Sequence, residues 1–74
     1  MYVKHDWGLV RIVHDGSPFD KAHDIRVEWR NDKDSEWILY SGFNSLSDDY
    51  AFTNSQNAAS QAIKRLAEKF ANII

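Results

Sequence analysis

IRVEWRNDKDSEWILYSG, Ile25 to Gly42, is the stretch on which the fold turns. Ile25, Val27 and Trp29 alternate with Arg26, Glu28 and Arg30, the period-2 signature of a half-buried strand. Glu36 to Gly42 reads as a second strand, with Trp37 and Leu39 on one face. A one-residue slip between two such strands would send every side chain to the wrong face. Matching the apolar faces pairs Trp29 with Trp37 and Val27 with Leu39. That register centres the turn on Lys33, flanked by Asp32 and Asp34, and sets Arg30 opposite Glu36 as a favourable cross-strand pair. It leaves Arg26, Glu28, Arg30, Glu36, Ile38 and Tyr40 on the outer face, and Trp29 and Trp37 beneath whatever covers the inner one.

The cover is supplied by the C-terminal segment. Ala59, Ile63, Leu66, Phe70 and Ile73 fall at helical spacing and form one stripe. Ala58, Ala62, Ala67 and Ala71 widen it with small side chains that let a helix lie close to a sheet. Thr53 and Gln56 have the spacing of a capping box, with Asn54 as a second cap, and Gln61, Lys64, Arg65, Glu68 and Lys69 form the opposite face. Upstream, Trp7 to Val13 reads as a strand with apolar residues on both faces. Ser17, Pro18 and Asp20 predict a short helical turn over about 18–22, with Phe19 tucked inward. The expected fold is therefore α+β. It has an antiparallel sheet of three strands (about 7–13, 25–31 and 35–42), or four if 49–52 pairs at an edge. One long helix over about 54–72 packs on one face of that sheet.

Seventy-four residues set one domain, 1–74, as the expectation. A chain of this size buries only about 60% of the surface its unfolded form exposes, and Trp7, Trp29 and Trp37, with four Phe and three Tyr, supply large apolar area per residue. The sequence has no cysteine, which excludes disulfides and thiolate metal sites. It has no apolar run long enough to span a bilayer, and Met1 to Asp6 lacks the apolar core of a signal peptide. These features set a cytoplasmic chain, away from membranes, as the expectation. The formal net charge is −2 and it is uneven: His14 to Tyr50 carries nine acids against four bases, whereas the segment from Ala51 carries three bases against Glu68. An acidic body disfavours phosphate contacts and favours a basic protein partner. Association of two copies, a homodimer, would add stability to so small a domain.

Every histidine is followed by an aspartate: His5-Asp6, His14-Asp15 and His23-Asp24. If Trp7 to Val13 is one strand, His5 and His14 stand roughly 30 Å apart, too far to share an ion. His14 and His23 flank one connection and, with Asp15, Asp20 and Asp24 nearby, are the candidate metal ligands. Ser17 with either of these histidines can be drawn as a triad. With seven serines and eight aspartates in the chain, such combinations arise by chance. No phosphate-cradling glycine motif is present. No enzyme activity and no cofactor are expected.

From Ile25 to Phe70 the layout, strands followed by a helix, resembles that of AP2-type and integrase arm-binding DNA domains. It is also similar to the end of double-stranded-RNA-binding domains. The resemblance implies nucleic-acid contact through basic residues, here Lys64, Arg65 and Lys69. Asn54-Ser55-Gln56-Asn57, however, opens the helix without a lysine. The leading expectation is a small protein-binding module, an accessory or inhibitor that occludes a partner with a basic surface. Its contact residues would be Asp32, Asp34, Glu36, Asp48, Asp49, Arg30 and Tyr40. Chains this short, acidic and motif-poor look like phage or mobile-element proteins, including inhibitors of host defence or nucleic-acid-processing enzymes. A nucleic-acid-binding domain is the alternative, and a metal site at His14 and His23 the second.

Overall fold

The described residues form four strands and one helix: β1 (Tyr2–Asp6), β2 (Val10–His14), β3 (Ile25–Trp29), β4 (Ile38–Phe43) and α1 (Ala51–Ala71). A computed structural model describes residues 2–71. The strands form one antiparallel sheet in the order β1-β2-β3-β4. The helix lies against β2, β3 and β4 on one face, giving the expected α+β fold. No helix among the described residues is long and apolar enough to cross a membrane.

Alternation explains the inner face. Val10 and Ile12 of β2 and Ile25 and Val27 of β3 point at the helix and are fully buried, each stabilising the fold by about 1.5–3 kcal/mol. The helix answers with small residues. Ala51, Ser55, Ala58, Ala59, Ala62 and Leu66 are its buried positions. The buried Ser55 hydroxyl donates to the Phe52 carbonyl at 2.6 Å, so its burial leaves no orphaned polar atom.

The expected stripe holds at Ala59 and Leu66 but not at Ile63 or Phe70, which are 38% and 44% exposed. Ala67 and Ala71 are exposed as well, and Ile73 lies outside the described residues. Lengths give the reason. Twenty-one helical residues span about 31 Å, whereas strands of five or six residues span roughly 17–20 Å. The helix therefore overhangs the sheet, and its last turns find no strand beneath them.

Four local expectations are corrected. The first strand is two. Asp6 accepts the Gly8 N–H at 2.7 Å, Gly8 takes φ +91°, and Trp7 N–H bonds Val10 O at 2.8 Å, so the chain turns back where a continuous strand was expected. Tyr2 then pairs with His14 and His5 with Ile12. His5 and His14 are thus about three residues apart across neighbouring strands, roughly 10 Å rather than 30 Å.

The fourth strand at 49–52 does not form. The helix begins at Ala51, three residues before the expected start, because Asp48 accepts the Tyr50 N–H at 2.9 Å and its carbonyl accepts the Ala51 N–H at 3.1 Å. Thr53, Asn54 and Gln56 lie inside the helix. Ser17 does open a turn over Pro18–Asp20, yet Phe19 is 80% exposed rather than tucked in.

The hairpin slips by one residue. Trp29 pairs with Ile38 and Glu28 with Leu39; beyond a bulge, Val27 pairs with Ser41 and Ile25 with Phe43. Trp37 therefore moves to the outer face, and Tyr40 moves to the inner one, its ring centroid 4.6 Å from that of Trp29. A local turn fixes the slip: Asp34 N–H bonds Asp32 Oδ1 at 2.9 Å and Ser35 N–H bonds Asp32 O at 3.3 Å.

Candidate interaction surface

The β1–β2 turn, the β3–β4 loop and the overhanging part of α1 meet at one end of the sheet. Arg30 ties them together. Its N–H bonds Leu9 O, its Nε donates to Gly8 O at 3.0 Å, and its Nη1 donates to Lys33 O at 3.1 Å. The displaced Trp37 ring lies against two cations, with Arg11 and Arg30 guanidinium carbons 4.3 and 4.2 Å from its centroid. Arg11 is itself oriented by Glu28, at 2.8 Å. The outer face at this end is thus a bound arginine–tryptophan cluster, where the sequence suggested a face of Ile38 and Tyr40.

Two grooves run along the overhanging helix, separated by Leu66. One, of about 270 Å³, is lined by Trp7, Leu9, Val10, Ile63, Leu66, Ala67 and Phe70 and carries no charged side chain. Trp7 is 49% exposed in its wall. The other, of about 160 Å³, has Trp29, Ile38 and Leu66 as its apolar lining and Arg30, Arg65 and Lys69 as its charged one. Lys69 Nζ donates to Asn31 Oδ1 at 3.0 Å, and the Arg65 guanidinium lies 5.7 Å from the Tyr40 ring centroid.

The expected acidic surface divides in two. Asp32, Asp34 and Glu36 share the β3–β4 loop at the groove end and are exposed. The Asp34 N–H, followed by the Ser35 hydroxyl, holds the Asp32 carboxyl below its ordinary value, outweighing the opposing effect of burial. Asp48 and Asp49 stand at the helix start, roughly 25 Å away along its axis, and Asp48 is engaged as the cap. Arg65 and Lys69 converge on the basic groove, while Lys64 is not among its lining residues.

The histidines separate by role. His14 Nε2 lies 3.4 Å from Asp24 Oδ2, and Asp24 is fully buried. Ser45 donates to the same carboxylate through its N–H at 2.8 Å and its hydroxyl at 2.5 Å. Burial pushes the Asp24 carboxyl up, but the two Ser45 bonds, its own N–H and nearby His14 together bring it below the ordinary carboxylate value. The serine here donates to the aspartate, not to the histidine, so this is a staple between loops and not the hydrogen-bond order of a nucleophilic triad. The hydroxyl of Ser17 accepts the Phe19 N–H at 3.3 Å. The His23 ring covers Gly42, where an added Cβ would lie 2.5 Å from its Cγ. Among the described residues, no three His, Asp or Glu side chains gather to hold a metal ion.

Trp7, Arg11, Trp37, Ile63 and Phe70 were not singled out as surface residues by the sequence reading. The one available signal was Asp6-Trp7-Gly8, an Asp-x-Gly punctuation inside an apparent strand. Compared with models of known families, with curated proteins and with solved structures, the chain matches none.

Proposed function

We propose that this chain is a non-enzymatic protein-binding module that acts by covering part of a partner's surface. The observation that carries the reading is the uncharged groove of Trp7, Leu9, Ile63 and Phe70, which opens at the same end as the Asp32, Asp34 and Glu36 loop. Half-exposed aromatic anchors beside a charged loop are what a protein interface requires: the anchors hold, and the charges steer. The loop carries three acids against Lys33, which suits a partner with a basic surface around a protruding apolar side chain. An accessory or inhibitory role, in the cytoplasm, belongs to the same proposal, since a chain this small has chiefly its surface to act with.

The reading separates two kinetic effects. Asp32→Lys with Asp34→Lys slows association by about tenfold and flattens its salt dependence. Trp7→Ser with Phe70→Ser instead speeds dissociation. Both are measured by biolayer interferometry against the protein captured by the wild-type chain. Unchanged rates in both variants would overturn the assignment of this surface.

A further inference from the structure

The basic groove is distinct from the uncharged one and is too small for an ordinary small-molecule site. Its volume is about 160 Å³, against roughly 300–1,000 Å³ for typical ligand pockets. It has room for one large side chain. Its floor of Trp29, Ile38 and Leu66 suits an apolar or aromatic group, and Arg30, Arg65 and Lys69 line it with no carboxylate among them. The matching ligand is an aromatic side chain flanked by carboxylates.

That chemistry is present in the chain itself. In Asp48-Asp49-Tyr50, Asp49 is exposed and the Tyr50 side chain is 71% exposed. Asp48 fixes the shape of this turn by capping the Tyr50 N–H. Tyrosine is among the residue types that anchor interfaces. The turn stands at the start of α1 and the groove lies beside residues 65–69, roughly 25 Å along the helix, so the two cannot meet within one molecule. We propose that the groove takes the Asp48–Tyr50 turn of a second copy, with Tyr50 against Trp29 and Ile38 and Asp49 facing Arg65 and Lys69. Because turn and groove are different patches, the contact is head-to-tail and extends into rings or short filaments rather than closing as a twofold dimer. The contact is small and therefore weak.

Sedimentation velocity tests this on the full chain, from about 10 μM to about 1 mM, at salt well below and well above the ~0.1 M at which the screening length is about 10 Å. The expected result is an average mass that rises with concentration at low salt and much less at high salt. Asp49→Lys with Tyr50→Ala removes the turn; Arg65→Glu with Lys69→Glu removes the groove. Each weakens self-association by about tenfold or more, with circular dichroism checking that the fold is kept. An equimolar mixture of the two variants retains one intact turn and one intact groove and gives a discrete heterodimer. A wild-type chain that stays monomeric to about 1 mM overturns the proposal. So does self-association that survives both variants, or a mixture that stays monomeric. So too does a single-stranded oligonucleotide that binds wild type but not Arg65→Glu/Lys69→Glu when no self-association occurs, which would reassign the groove to nucleic acid.

Discussion

Asp24 is the one fully buried ionisable side chain among the described residues, and Asp24→Asn removes its charge at almost constant shape. Ser45 makes two bonds to the carboxylate, through N–H and hydroxyl. A bond to a charged group is worth about 1.5–3 kcal/mol net. Asparagine can keep both contacts only as neutral bonds, its oxygen accepting the Ser45 N–H and its NH₂ donating to the hydroxyl oxygen, so each bond weakens by about 1 kcal/mol. The expected cost is about 1.5–3 kcal/mol, or roughly 6–20 °C in Tm for a domain of this size. Asp24→Ala loses both bonds, but Ser45 is exposed and can turn to water, which holds the cost to about 2–4 kcal/mol. The pH dependence follows from the direction of the shift. A carboxyl held below its ordinary value of 3.8 contributes stability that is present above that pH and is lost as pH falls through the folded-state value. The gap between wild type and Asp24→Asn should therefore be full at pH 7 and narrow below about pH 4. Urea unfolding of wild type, Asp24→Asn, Ser45→Ala and the double variant, at several pH values, gives both the cost and the coupling. A cost below about 0.5 kcal/mol, or additive single effects where a contacting pair should couple by 0.5–3 kcal/mol, would refute the staple.

Three further outcomes are expected. Trp37→Ala should cost about 1–2 kcal/mol, the sum of two partly exposed cation–π contacts, rather than the 3–5 kcal/mol of a core tryptophan; thermal unfolding distinguishes the observed register from the one-residue alternative. Gly42→Ala should destabilise by about 1–3 kcal/mol by forcing a methyl into the His23 ring, and the loss should shrink in a His23→Ala background. Asp15, held by Lys21 at 3.0 Å and Arg26 at 3.1 Å, should titrate by NMR at about 2. Since that carboxyl is depressed, its contribution to stability should persist at pH 4 and fade only as pH drops from 3.8 toward 2.

The helix and the centre of β3 were legible because each carries one dominant period, whereas β2 showed as a strand through its β-branched run with apolar residues on both faces. The hairpin register was not legible. Over residues 36–42 the sequence offers two alternating apolar sets, Trp37 with Leu39 and Ile38 with Tyr40, so hydrophobic pattern alone favours neither strongly. The Asp32 turn sets the observed register, and Arg11, a residue 26 positions upstream of Trp37 in the sequence, joins Arg30 over the displaced Trp37 ring on the outer face. The helix start was hidden by competing caps: Asp48 and Thr53 both fit, and Asp48 wins because the earlier start also places Ala51 in the core and Phe52 against it. Both grooves depend on the difference in length between helix and sheet, a property of the assembled layers that no local motif announces. The division of the acids into two ends likewise follows from topology, because the β3–β4 loop and the start of α1 lie at opposite ends of β4.

The order of elements along the chain has a consequence for synthesis. Each strand pairs with its immediate predecessor, so the meander can zip up as it emerges, with only short loops to close. Its inner face, however, stays wet until α1 follows. At 5–20 residues per second, making the 21 residues of α1 takes about 1–4 s. Until α1 has emerged and docked, these strands have nothing to cover Val10, Ile12, Ile25 and Val27. A sheet with no lid is open to chaperones and proteases, so the promptness with which α1 docks becomes part of what determines the yield of folded protein.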